Sequence, residues 1–226
     1  MSPRSRRQAI GAHEAPDVVD DELDEWAPAP LGAGFVIEDA LLADGVDLDG
    51  ADATGVAIKR TRVRGARLAG TRLRSLALID VAIEDVDAGN AQWTGARLER
   101  VVFERCRLTG FTAPELEASE VLFRDCRLDL ANFRHGRFDH VTFSGCVLDE
   151  ADFAGATLRF CRLEGSPLRG VDIQGATLTS VDLRGCDVSG LAGDATALAG
   201  AIIDTPQLLD LAPRLAHGLG IEVRDD

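Results

Sequence analysis

The residues best suited to chemistry are five cysteines, four of which recur at multiples of twenty residues: Cys106, Cys126, Cys146 and Cys186. A column of thiols could bind a soft metal ion or form redox pairs. However, Ser166 fills the gap in the column, and alanine, serine and valine stand at equivalent positions elsewhere. A buried thiol behaves as a small hydrophobic group. We therefore interpret these cysteines, and Cys161 in a neighbouring column, as core residues.

Other residues offer little support for catalysis. His135 and His140 have no clear acidic or thiol partner, so they are expected to be solvated rather than metal ligands. The chain contains no phosphate-binding glycine loop, no HExxH and no GxSxG motif, and Lys59 is its only lysine. The sequence predicts a protein that is not an enzyme and needs no cofactor or metal.

A five-residue repeat organises the chain. From Val46 to Gly190 it divides into 29 blocks of five without an insertion, and the third residue of every block is apolar. The first residue is small or apolar, and all 41 charged residues of this segment occupy the other three positions. A period of five matches neither an α-helix nor a strand. We infer that the first and third residues point inward, the second points outward, and the last two turn a corner.

Longer-range columns indicate how many corners make one coil. Residues of the same type recur every twenty residues, which is four blocks, and stacked coils place like residues above like. The expected core ladders combine the four recurrent cysteines with two columns of phenylalanine: Phe103, Phe123 and Phe143, and Phe133 and Phe153. The coil is therefore predicted to have four sides.

This pattern resembles the pentapeptide repeat family, whose motif is approximately A(D/N)LXX. The blocks "ADFAG" at 151–155, "VDLRG" at 181–185 and "VDLDG" at 46–50 show it plainly. The resemblance implies an all-β fold, a right-handed quadrilateral β-helix, here of about eight coils with a short C-terminal helical cap. The fluoroquinolone-resistance branch of this family is dimeric and negatively charged, and it binds DNA gyrase in place of DNA.

The composition outside the repeat suggests four segments. Residues 1–31, acidic and rich in proline, are predicted to be a disordered arm, and residues 32–45 an N-terminal cap. Residues 46–205 are predicted to form the β-helix, and residues 206–226 a helical cap that also dimerises. We expect Thr205 to be the N-cap of the first helix and Pro213 to divide the segment into two short helices.

Charge patterning leaves three hypotheses for function. The net charge is −14, yet residues 59–74 form a basic belt: Lys59, Arg60, Arg62, Arg64, Arg67, Arg72 and Arg74. The later coils carry an excess of acids. One hypothesis is a DNA mimic that binds DNA gyrase or another type II topoisomerase through protein–protein interaction. The second is a general interaction scaffold, and the third and weakest is nucleic-acid binding through the basic belt, because the overall charge would repel phosphate.

The corresponding residues can be named. The candidate partner-binding residues are Asp149, Asp152, Asp172 and Asp182. A homodimer is predicted through leucines of the C-terminal segment: Leu208, Leu209, Leu211, Leu215 and Leu219. No run of apolar residues is long enough to span a membrane, and no secretory signal is evident, so the sequence indicates a cytoplasmic protein.

Overall fold

Parallel strands stacked at intervals of twenty residues form the body of the molecule. The computed structural model describes residues 14–18, 23–26 and 29–224. Within them the strands are β1 Asp24–Glu25, β2 Val36–Glu38, β3 Ala40–Leu42, β4 Asp52–Thr54, β5 Ala57–Arg64, β6 Arg72–Arg74, β7 Ala77–Glu84, β8 Arg97–Glu104, β9 Glu117–Arg124, β10 Arg137–Asp139, β11 Thr142–Ser144, β12 Thr157–Arg159, β13 Arg162–Glu164, β14 Thr177–Thr179, β15 Val181–Asp182 and β16 Ala201–Ile202. A helix, α1, spans Thr205–Gly218.

The strand register confirms the four-sided coil. Phe103 pairs with Phe123 and Phe123 with Phe143, so each residue lies over the one twenty positions away. The result is an all-β solenoid of about nine turns closed by a C-terminal helix. The solenoid has one turn more than the eight predicted, because β2 and β3, which precede the repeat in the chain, both pair in parallel with β5. These two strands form an additional turn at the N-terminal end.

Each coil has four faces, which we number in chain order by their central inward residues. Face 1 is centred on residues 48 to 188 at intervals of twenty, face 2 on 53 to 193, face 3 on 58 to 198 and face 4 on 63 to 203. Strands β5, β7, β8 and β9 run through faces 3 and 4 without a break. On faces 1 and 2, successive coils are paired mostly through single β-bridges between second-position residues, such as Arg107 with Arg127 and Asp152 with Asp172. Faces 1 and 2 adjoin, whereas faces 2 and 4 lie on opposite sides of the coil.

From Gly50 to Gly185, the fifth residue of each block turns the corner in the left-handed backbone region. Gly145 has φ +62°, and a Cβ atom there would come within 2.6 Å of the Asp125 carboxylate. Many corners nevertheless carry a side chain, for example Leu130 at φ 59°. Glycine is favoured because it adopts positive φ without strain, and each other residue type carries a local cost there.

The core is the expected set of ladders. Phe103, Phe123 and Phe143 stack with ring centroids 4.8 and 5.0 Å apart and nearly parallel planes. Phe133 and Phe153 lie 5.1 Å apart. All five cysteines are buried and free. The thiol of Cys106 donates to the carbonyl oxygens of Ile83 and Glu104, as expected for a packed residue rather than a ligand.

The C-terminal segment differs from the expectation in two respects. Asp204, rather than Thr205, is the N-cap: its carboxylate accepts from the Gln207 backbone N–H, and the Gln207 side chain accepts from the Asp204 N–H. This reciprocal pair satisfies two backbone donors at once, which a lone threonine would not do. The prediction that Pro213 divides the segment is also wrong, because Pro213 lies inside one continuous helix.

Part of the N-terminal arm is ordered, contrary to the expectation for residues 1–31. Asp24 and Glu25 pair in parallel with Ala40 and Leu41, and the Trp26 backbone N–H donates to the Leu41 carbonyl at 2.9 Å. The Trp26 ring packs against the core. Acidic composition alone did not reveal this contact, since the edge strand β3 supplies backbone partners regardless of side chain. Much of the remaining arm lies outside the described residues.

Candidate protein-interaction surface

In the early coils, opposite charges are stacked one coil apart and neutralise each other. The Arg105 guanidinium donates to both Asp85 carboxylate oxygens at 2.8 Å, and Arg107 pairs with Asp87 at 2.7 Å. The predicted basic belt follows the same rule. Five of its members are paired with carboxylates of neighbouring positions: Arg60, Arg62, Arg64, Arg67 and Arg74. The belt is therefore largely compensated within the protein.

The late coils distribute charge unevenly between the faces. Faces 1 and 2 of the last three repeat coils carry six acids and one base, Arg169. We call these six residues the acidic surface: Asp149, Glu150, Asp152, Asp172, Asp187 and Asp194. Faces 3 and 4 of the same coils carry three acids and three bases. The net negative charge of this end is thus concentrated on two adjoining faces.

Local hydrogen bonds fix the direction of several of these carboxylates. An aspartate at the second position of a block accepts the backbone N–H two residues later: Asp152 from Ala154 and Asp172 from Gln174, both at 2.8 Å. Asp187 accepts from both the backbone and the hydroxyl of Ser189, which lowers the pKa of its carboxyl below the usual value. This local bonding explains why aspartate recurs at the second position. It also holds each carboxylate in one orientation.

Few of these carboxylates are neutralised. Asp152 pairs with Arg134 at 2.8 Å, and Asp149 lies 3.9 Å from Arg169. Among the described residues, no ion pair is formed by Asp172, Asp187, Asp194 or Glu150. Because Asp152 and Asp172 stand directly over each other in consecutive coils, this part of the surface repeats its charge along the rod.

The structure separates the four predicted partner-binding residues. Asp152 and Asp172 share face 2, and Asp149 lies near the adjoining corner on face 1. Asp182, however, is on face 4, on the opposite side of the coil, and its carboxylate is buried. The Arg184 guanidinium, hydrogen bonded to Asp182 at 2.7 and 2.9 Å, keeps the pKa of that carboxyl below its usual range. Asp182 is thus placed to hold a coil together rather than to join the acidic surface.

The spacing of the aspartates in the sequence shows that Asp182 does not share a face with the other three predicted residues. Asp172 and Asp182 are ten positions apart, which is two faces, whereas Asp152 and Asp172 are twenty apart and share a face. Asp187 is fifteen positions after Asp172, which is three faces, so it lies on face 1, which adjoins face 2. Asp194 lies on face 2, at the fourth position of its block rather than the second.

The predicted dimerisation leucines divide into two groups. Leu211 is buried and Leu215 packs against the core. Leu208, Leu209 and Leu219 are exposed by 47%, 68% and 74%. Leu208 and Leu219 follow helical spacing with Ala212 and Ala216 and so form an apolar stripe directed away from the solenoid.

Polar side chains, rather than leucine alone, attach α1 to the solenoid. The buried Gln207 amide donates to the carbonyl oxygens of Leu183 and Cys186 at 2.6 and 2.8 Å. Arg214 donates to the carbonyls of Leu191 and Gly193. These bonds supply donors to carbonyl groups at the end of the solenoid, of which the Leu183 carbonyl also accepts from the Cys186 backbone N–H. They also explain why the leucine stripe is free to face outward.

Other candidate sites lie outside this surface. Across residues 14–18, 23–26 and 29–224, no three His, Cys, Asp or Glu side chains converge as a metal site would require. His140 lies against Phe160 and contacts Asp139 at 2.9 Å. A groove of about 620 Å³ on face 3 is lined partly by Arg97, Glu117 and Arg137, whose charges pair with one another. In the described chain no helix combines the length and apolarity needed to cross a bilayer.

A family comparison agrees with this architecture. Residues 117–192 match a model described as a pentapeptide repeat region. This part of the chain is similar to the pentapeptide repeat family. The match covers every phenylalanine of the two ladders except Phe103, and every residue of the acidic surface except Asp194.

Two of the solved structures that match the chain do so at low sequence identity and with low TM-scores. One is HetL, a pentapeptide repeat protein involved in heterocyst differentiation regulation from the cyanobacterium Nostoc sp. strain PCC 7120, which is 20% identical over 76% of this chain and 90% of that one, with a TM-score of 0.36. Another is full-length QnrB1, a plasmid-mediated fluoroquinolone resistance protein, at 16% identity over 84% and 92%, with a TM-score of 0.34. No curated protein sequence matches the chain.

Proposed function

We propose that this protein acts without catalysis, by presenting its acidic surface to the DNA-binding region of a partner protein. The supporting observation is the six-to-one excess of acids on faces 1 and 2 of the late coils. At about 4.8 Å per coil, the three coils occupy about 14 Å along the axis, so the six carboxylates give roughly one per 2.4 Å and the four without an ion pair roughly one per 3.6 Å. Duplex DNA carries one charge per about 1.7 Å. The unpaired charge density of the surface is thus about half that of duplex DNA.

Rigidity strengthens this proposal. The carboxylates of Asp152, Asp172 and Asp187 are held by hydrogen bonds to their own blocks, and the blocks are held by a continuous core. A preorganised set of charges loses less entropy on binding than a flexible acidic arm would. Attraction to a basic partner should also be steep in salt concentration.

We propose further that two copies associate through α1. Leu208, Leu209 and Leu219 are exposed on the side of the helix that the solenoid does not use. A surplus of exposed apolar side chains beside a packed face is typical of a partner site. A two-fold interface there would bring the acidic surfaces of the two copies towards each other. Leu208→Asp with Leu219→Asp should then convert a dimer into a monomer in light scattering, whereas Asp210→Ala should not.

DNA gyrase is the first partner to test, because the repeat resembles that of the gyrase-binding branch. The four carboxylates without an ion pair define the variant: Glu150→Gln together with Asp172→Asn, Asp187→Asn and Asp194→Asn. Full-length protein should alter gyrase supercoiling at low salt, and the variant should need at least about tenfold more protein for the same effect. A control variant should remove four exposed acids elsewhere: Asp85→Asn, Glu115→Gln, Glu117→Gln and Asp125→Asn. It should behave like the parent.

The outcomes distinguish the hypotheses. No effect of the full-length protein on supercoiling would remove the topoisomerase proposal and leave the general scaffold. An equal loss in the variant and the control would mean that net charge, rather than the acidic surface, is responsible. The nucleic-acid alternative is disfavoured by the compensated basic belt and would require tight, salt-dependent binding of DNA by the protein alone.

A further inference from the structure

Face 4 differs from the other three faces on its outer side. Throughout residues 46–190, all of which are described, the outward second position of a block is buried only on this face. The buried residues are Ala82, Leu122, Thr142 and Asp182, and Leu122 is only 3% exposed. Faces 1 and 2 mostly have charged or amide residues at these positions, whereas face 4 has the apolar sequence Ala82, Val102 and Leu122 in three consecutive coils.

A segment from the N-terminal arm lies along the edge of this apolar patch. We call residues 14–18 the strap. The Asp17 backbone N–H donates to the Asp80 carboxylate at 3.2 Å, and the Glu14 N–H donates to Glu120 at 3.2 Å. Asp80 and Glu120 are both corner residues between faces 3 and 4, two coils apart. Three residues of extended chain and two coils both span about 10 Å, so the strap runs along the rod axis in an extended conformation.

The strap is poorly matched to its site. The residues that donate these two N–H groups are themselves acidic, Glu14 at Glu120 and Asp17 at Asp80, so neither side chain can offer its partner carboxylate an opposite charge. The Asp80 charge is compensated by Arg100 at 2.6 and 2.7 Å. Glu120 has no ion pair among the described residues. Both recorded hydrogen bonds from the strap to the rod use backbone N–H groups, and the side chains of Glu14 and Asp17 are exposed. The strap therefore shows that an extended backbone fits this site. Its acidic side chains are not the ones that would bind there most favourably.

We propose that the apolar patch Ala82, Val102 and Leu122, together with its rim carboxylates Asp80 and Glu120, is a docking surface for an extended segment of a partner protein. That segment carries a basic residue at the position opposite Glu120, where the strap has Glu14. The strap occupies the surface in the isolated chain and is displaced when the partner binds. This surface lies on the side opposite face 2, so the proposal is independent of the acidic surface.

Displacement is feasible because of how the strap is attached. A tethered segment competes through its effective concentration, because it belongs to the same chain as the surface that it covers. A partner segment must therefore gain contacts that the strap lacks. An ion pair with Glu120 is such a contact, because the acidic strap residue at this position cannot form one and Glu120 is half-buried.

Proline substitution can release the strap without shortening the chain. Glu14→Pro with Asp17→Pro removes both donating N–H groups, because proline has none. Glu14→Ala with Asp17→Ala removes the same two side chains but keeps both N–H groups, and it is the matched control. The probe is a fluorescein-labelled peptide with the sequence of residues 14–26 in which Glu14 is replaced by lysine, followed by fluorescence anisotropy.

The proline variant should bind this peptide at least about tenfold more tightly than the alanine control. Adding Leu122→Arg to the proline variant should remove binding, and Glu120→Gln should abolish the preference for the lysine-substituted peptide over the native sequence. Equal binding by the proline and alanine variants would overturn the proposal, as would binding that survives Leu122→Arg. Thermal unfolding checks that each variant is folded, and Val102→Arg replaces Leu122→Arg if the latter is not.

Discussion

Truncating the central phenylalanine of the ladder tests the assignment of inward and outward positions. Phe123 is 1% exposed and is stacked on both sides, against Phe103 at 4.8 Å and Phe143 at 5.0 Å. Phe123→Ala removes both stacking contacts and leaves a cavity between two coils. The next residue, Arg124, points outward, is half exposed and lies 3.7 Å from Glu104. Arg124→Ala is therefore a control one position away in the chain.

The expected magnitudes differ by nearly tenfold. A buried phenylalanine truncated to alanine costs about 3–5 kcal/mol of unfolding free energy, which combines the lost transfer energy with the cavity term. Since two well-stacked rings lose a partner, the upper part of that range is expected for Phe123→Ala. An exposed ion pair contributes well under 1 kcal/mol, so Arg124→Ala should cost less than about 0.5 kcal/mol.

Denaturant unfolding followed by far-ultraviolet circular dichroism measures both losses. The slope with denaturant should be compared as well, because a solenoid can lose cooperativity when one coil is weakened. If Phe123→Ala and Arg124→Ala reduce the unfolding free energy equally, the third position of the block does not face the core. A loss below about 2 kcal/mol for Phe123→Ala would also contradict the stacked ladder.

Three further predictions concern the corners, the thiols and acid stability. Leu130 is exposed at positive φ, so Leu130→Gly should stabilise the protein by about 0.5–1 kcal/mol in thermal melts, and Leu130→Ala, which keeps a Cβ, should not. Burial raises the pKa of Cys161 to about 12, so we expect it and the other buried thiols to react with a thiol reagent only on unfolding; fast labelling of the native protein would contradict their core role. The Arg100 side chain holds the pKa of Asp80 below its usual value, so the pair's contribution is present above pH 4 and is lost as the pH falls below about 4. Asp80→Asn should reduce this acid sensitivity in denaturation at pH 6 and pH 3.

The repeat itself could be predicted because its blocks have a fixed length of five residues and its coils a fixed length of twenty. Columns twenty residues apart, such as Phe103, Phe123 and Phe143, correctly indicated which residues stack and that the coil has four sides. Buried first and third positions follow from the same pattern, since any charge there would be buried without a partner.

Features without a period were harder to predict. The ordered strand at Asp24–Glu25 depends on backbone hydrogen bonds to β3, which acidic composition does not report. The helix cap depends on a reciprocal contact between Asp204 and Gln207, and Pro213 is tolerated within the helix. Asp182 shows a different limit. The acidic residues of the late coils can be counted in the sequence, but which of them share a face follows only from their spacing, and Asp182 lies on face 4 rather than on face 1 or 2.

Binding of gyrase measured at two salt concentrations tests the central claim most directly. Full-length protein and the four-carboxylate variant of the acidic surface should be compared at about 50 mM and 200 mM salt by biolayer interferometry. The proposal predicts that the parent binds, that its affinity falls steeply with salt, and that the variant has lost both most of the affinity and most of the salt dependence. Equal affinity and equal salt dependence for the two proteins would contradict the proposed role of the acidic surface.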